Sequence, residues 1–117
     1  MKVLKVTPCQ YPYVIEIDDE LETLQREVGG YIEAIYPFAD DVAIVCNEEG
    51  KITGLPLNRA LRSDDGAVVD VLCGNFLIVG LTEDGFGSLS DEQIKTYTKL
   101  YTEDTGLSLG ELLDIMC

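Results

Sequence analysis

The chain has 117 residues, with 22 Asp and Glu against 8 Lys and Arg, a net charge of −14, and no His or Trp. This length, 46 % apolar, supplies one hydrophobic core rather than two, and the absence of imidazole excludes every mechanism that needs it. So large an acidic excess also argues against direct binding to nucleic acid, because that affinity comes from cationic side chains releasing counterions from phosphates.

In chain order, Lys2 to Thr7 alternates and predicts a strand, the two prolines within Pro8–Pro12 make a turn, and Tyr13–Ile17 predicts a second strand antiparallel to the first. Asp18 or Asp19 is placed to cap a helix reaching Val28, with Leu21, Leu24 and Val28 on one face and Gly29-Gly30 ending it. Strands follow at Tyr31–Phe38 and Val42–Cys46, then a hairpin loop at Asn47–Gly50 in which Gly50 would supply a positive φ. Leu55–Leu61, interrupted by Pro56, reads as a single helical turn. Ala67–Leu72 and Asn75–Leu81, on either side of Gly74, read as a bent strand pair or one bulged strand. Ser90 with Gln93 three residues on is a capping box, opening a helix to about Tyr101 with an Ile94, Tyr97, Leu100 and Tyr101 stripe. A last short helix is expected at Ser108–Met116. The order ββα, further strands and two C-terminal helices is that of a small single α+β domain, mainly antiparallel sheet, over residues 1–100, with residues 101–117 an extension packed on it or forming a homodimer contact.

No window holds the roughly 18 apolar residues of a membrane span, and the opening Lys2–Val6 segment is broken by Lys5 and stopped by Pro8, unlike a signal peptide. A soluble cytoplasmic protein is expected. The four Cys form no CxxC or CxxH pair, so zinc is not expected, and Cys46 and Cys73 sit in apolar runs as small buried hydrophobes.

The acids are densest at Glu16, Asp18, Asp19, Glu20 and Glu22, five carboxylates in seven positions. They read as a solvated surface facing a helix dipole, or as a surface whose negative charge imitates nucleic acid and occupies the basic groove of a nucleic-acid-binding protein. No EF-hand spacing, GxSxG elbow or phosphate loop occurs. The unusual stretch is Gly54–Arg62, which carries two of the three arginines in the chain. Asn58, Arg59 and Arg62 there are candidate contacts to a ligand or partner, since a guanidinium presents a fork to carboxylate or phosphate. Otherwise Arg59 ties down an Asp or Glu within the fold.

Several blocks carry a family resemblance: Lys2-Val3-Leu4, Val28-Gly29-Gly30-Tyr31-Ile32-Glu33, Cys46-Asn47-Glu48-Glu49-Gly50-Lys51, Gly54-Leu55-Pro56-Leu57-Asn58-Arg59, Gly74–Gly80 and Ser88–Gln93. In this order they resemble the family catalogued as domain of unknown function 3846, over about residues 1 to 100. The resemblance implies no activity and no catalytic residue. It implies a setting among phages, mobile elements and their bacterial hosts.

These readings point to a non-enzymatic acidic binding protein of phage or mobile-element origin. It would inhibit a host nucleic-acid-handling or defence protein, itself basic, through its acidic surface. No cofactor, metal, direct nucleic-acid contact or membrane contact is expected. The alternative is a small-molecule binder taking a nucleotide-like anion on Asn58 and Arg59, beside Tyr31, Tyr36 or another aromatic. An enzyme working with carboxylates or Lys alone is a third class.

Overall fold

The first two period-two segments form the expected hairpin: β1 (Lys2–Val6) pairs antiparallel with β2 (Tyr13–Glu16), Val3 opposite Ile15 and Leu4 opposite Val14. The computed structural model describes residues 1–105, so the helix expected at Ser108–Met116 and its dimer contact lie outside the described residues. After the hairpin comes α1 (Leu21–Val28), closed by Gly29 at φ 79° with its N–H on the Gln25 carbonyl. The N-cap differs from expectation. Pairing of Ile17 with Met1 carries the hairpin past Glu16, so Asp18 and Asp19 fall in the bend, and Glu20 takes the cap position without a side-chain cap bond. Eight residues are too few for a helix to stand alone, below the roughly 12–15 an isolated helix needs. Burial of Leu24 and Val28 against the sheet holds α1 instead.

β3 (Ile32–Ile35) and β4 (Val42–Asn47) pair antiparallel. Beyond the turn at 48–54 the chain departs from expectation. Leu55–Leu61 is not a helical turn: Leu57–Arg62 is strand β5, paired antiparallel with β6 (Val68–Cys73). Local pattern loses here to tertiary pairing, because Asn58, Arg59, Ala60 and Leu61 are all buried once β5 pairs with β6 and packs into the domain. Gly50 does not take the positive φ either, and Gly54 does, at 76°. Gly50 is needed for space, since a Cβ there would lie 2.7 Å from the Cys73 carbonyl oxygen. Nor do residues 67–81 make a strand pair or one bulged strand. Gly74, at φ 81°, turns the chain out of the β5–β6 ribbon and into β7 (Phe76–Thr82), a central strand of the other sheet. The short β8 (Gly85–Gly87) pairs back on β7, and α2 (Asp91–Glu103) starts from the expected Ser90–Gln93 capping box.

The main sheet runs β2-β1-β7-β4-β3, with β8 on β7. It is covered on both faces, which is why β4 and β7 are nearly continuous apolar runs rather than alternating ones. Leu4, Val6, Val42, Ile44, Phe76 and Ile78 pack toward α2 and the β5–β6 ribbon. Val3, Ala43, Val45, Leu77 and Val79 pack toward Leu24 of α1. Cys46 lies in the first of these clusters and Cys73 is half-buried. Burial pushes the Cys46 thiol up to about 11. This is a small α+β domain with mainly antiparallel sheet and two helices among the described residues.

Candidate functional site

The rare arginines are the best-defined candidates, and their geometry follows from a bulge. On β5 the step from Leu57 to Arg59 matches the single step from Cys73 to Leu72 on β6, so Asn58 has no partner in the ladder. Its side chain turns into the interior, 3 % exposed, and donates to the carbonyls of Val6 (2.9 Å) and Gly74 (2.8 Å). Arg59 is 1 % exposed, among the largest fully buried side chains described. Nε and Nη2 both donate to the Tyr101 carbonyl, at 3.2 and 3.0 Å. Nη1 donates to the carbonyl (3.2 Å) and Oδ1 (2.9 Å) of Asn58, and Nη2 to the Gln10 carbonyl at 2.7 Å. Five bonds meet the five N–H donors of a guanidinium.

A buried cation is costly unless its surroundings carry negative potential. Here that comes from carbonyl oxygens, the C-terminal end of the α2 dipole at Tyr101 and the nearby Asp104 carboxylate. Burial lowers the Arg59 pKa, and Asp104 opposes that shift. An Arg remains charged regardless. A carboxylate partner bonded to Arg59, expected as one reading, is replaced by backbone carbonyls. Contact with an outside anion or partner at Asn58 and Arg59 would require these bonds to break.

Arg62, at the other end of β5, is partly exposed and forks the Asp104 carboxylate, Nε to Oδ2 at 2.7 Å and Nη2 to Oδ1 at 3.4 Å. Its Nη1 reaches the Gly66 carbonyl at 3.2 Å. The two arginines together tie the β5–β6 ribbon to the end of α2. Sequence reasoning misses a second tie, made from the first turn and the middle of that helix. The Tyr97 hydroxyl donates to Asp40 Oδ2 at 2.8 Å, and Gln93 Nε2 to Oδ1 at 3.3 Å. The Tyr97 hydrogen bond, helped by the Asp41 N–H, holds the Asp40 carboxyl below its usual range, while burial and Asp40 raise the Tyr97 phenol. The signal for it is present as Asp40-Asp41 and the Tyr97 stripe, but pairing across 57 residues has no local signature.

The acidic run lies at a different corner. Glu16, Asp18, Asp19, Glu20 and Glu22 are all exposed. Glu16, Asp18 and Glu20 face one open hollow with Glu27, at the bend between β2 and α1, and Arg26 is also on its rim. Glu22 stands in the first turn of α1, where a carboxylate is favourable to the helix dipole. Tyr31 opens onto a third place, a hollow of about 470 Å³ beside Gly29, Asn47 and Leu55, to which Arg59 does not contribute. The Asn47 amide there is already engaged, donating to the Val28 carbonyl at 3.2 Å and accepting from the Glu49 N–H at 2.8 Å. Tyr36, 62 % exposed, follows β3.

Among the described residues no group of three Cys, Asp or Glu side chains is placed to hold a metal ion, and every buried side-chain polar atom has a hydrogen-bond partner. No described helix is long and apolar enough to cross a membrane. Neither the curated proteins nor the solved structures contain a match to this chain. A family model does match, over residues 1–102 and so across both arginines, the acidic corner and nearly all of α2, and the chain therefore belongs to the family described as "Domain of unknown function (DUF3846)".

Proposed function

We propose that the protein is a non-enzymatic binding protein that holds a basic, nucleic-acid-handling partner through its acidic corner. The observation that supports this best is the contrast in where charge is placed. Of the cations in the Gly54–Arg62 segment, Arg59 is buried and Arg62 is bonded to Asp104, whereas Glu16, Asp18, Asp19, Glu20 and Glu22 are all exposed in one run. A corner of that kind attracts a cationic surface and speeds encounter more than it adds affinity. The setting implied by the family resemblance, phage and mobile-element genes, suits an inhibitor of a host defence or nucleic-acid-handling protein.

The test is a pull-down from host lysate at low and high salt, with the native chain and with a variant carrying Asp18→Lys, Asp19→Lys and Glu20→Lys. The expected result is a basic nucleic-acid-binding protein retained by the native chain at low salt, weakened at high salt and lost in the variant. Recovery of no such protein by the native chain at either salt overturns the reading.

A further inference from the structure

The outer edge of β2 has a backbone arrangement that says what shape of partner the acidic corner takes. β2 ends the strand order of the main sheet, with β1 on one side and, among the described residues, no strand on the other. Which of its groups are free follows from one pair. Met1 and Ile17 exchange both bonds, Met1 N to the Ile17 carbonyl at 2.6 Å and Ile17 N to the Met1 carbonyl at 3.0 Å. Bonded and non-bonded pairs alternate along an antiparallel ladder. Ile15 opposite Val3 and Tyr13 opposite Lys5 are therefore bonded to β1, while Val14 and Glu16 direct their N–H and C=O away from it.

Those outward residues are accessible, Val14 at 42 % exposure and Glu16 exposed as well, and the side chains of Tyr11 (73 %) and Tyr13 (42 %) stand exposed beside them. The edge leads directly into Glu16, Asp18, Asp19 and Glu20. An incoming strand would thus find open backbone groups, apolar and aromatic surface, and then carboxylates. A second copy of this chain fits less well than a cationic segment, because two chains of charge −14 repel one another. The opposite edge, β3, holds a single acid, Glu33, and meets Pro37 two residues past its end, so it offers less to a cation and stops sooner.

We propose that β2 is a docking strand, to which an extended cationic segment of the partner adds as a further strand of the main sheet. This rests on the acidic-corner reading above and supplies its geometry. The probe is a synthetic Lys-Val-Lys-Val-Lys-Val-Lys-Val peptide at low salt, beside the same peptide N-methylated along its whole backbone. Binding is followed by titration and by amide exchange in the full chain. The expected result is binding of the first peptide, with new protection of the Val14 and Glu16 amides, at least ten-fold weaker for the methylated peptide and for the variant Val14→Pro. That variant loses an outward N–H and no ladder bond to β1. The methylated arm uses the native chain, so a folding defect in the variant does not decide the result. Equal binding of both peptides, with no protection at Val14 and Glu16, overturns the docking strand and leaves the acidic corner standing. Absence of binding by the unmethylated peptide overturns it as well. Protection at Val14 and Glu16 that rises with protein concentration alone would assign the edge to a second copy instead and would likewise overturn it.

Discussion

The Asn58–Arg59 pair and the Glu16–Glu22 run are opposite uses of charge. The first puts one guanidinium among carbonyls at 1 % exposure, with every donor bonded. The second leaves five carboxylates in water. Buried and fully bonded, a charge is expensive to lose. Exposed, it contributes little to stability and is free to act on something else. In a chain this acidic, Arg59 and Arg62 are bonded within the fold while the carboxylates of the corner stand in water.

The sharpest way to break the comparison is Arg59→Met. It leaves the Tyr101, Gln10 and Asn58 acceptors inside without donors, and is expected to cost about 3–5 kcal/mol of stability in urea unfolding. If Arg59 were a recognition residue, stability would hold and binding alone would fall. Tyr97→Phe is next, at about 1 kcal/mol near neutral pH, for the lost bond to Asp40. Because the folded Asp40 carboxyl titrates below its unfolded value, its contribution is present above that unfolded value. It is lost as the pH falls through the lower, folded one. The gap between the native chain and the Tyr97→Phe variant should therefore narrow on acidification below about pH 4, measured as unfolding midpoints against pH. Ser90→Ala removes the hydroxyl that accepts from the Gln93 N–H, an expected loss of about 1 kcal/mol in thermal unfolding, a structural effect with no change in partner binding. The smallest effect is the most telling. Asp18→Asn with Asp19→Asn should move stability by less than about 0.5 kcal/mol in either direction while reducing partner capture.

The parts of the fold visible in the sequence are those governed by neighbours along the chain. The β1–β2 hairpin, the Gly29 stop and the Ser90–Gln93 box each need only a few adjacent residues, and each stands as read. Leu55–Leu61 misleads because its state is decided by β6 and by the sheet beneath. Gly50 looks like a turn residue in sequence, whereas its role is to leave room for the Cys73 carbonyl. At the candidate sites, composition singles out Arg59 as unusual. It does not tell inside from outside, because the bulge that swings Asn58 inward exists only once β5 and β6 pair. The acidic run is legible as a run. Its gathering beside an open strand edge requires the hairpin register.

The Arg59 brace also sets an order of events as the chain is made. Its links reach across 52 residues from Asn58 to Val6, 49 from Arg59 to Gln10 and 42 from Arg59 to Tyr101. A nascent chain that has exposed all of β1 to β7 still carries a guanidinium without its main acceptor, because that acceptor is the last turn of α2. The two bonds from Arg59 to the Tyr101 carbonyl can therefore form only after residue 101 has left the ribosome, so this link between ribbon and helix closes later than the links to Val6 and Gln10.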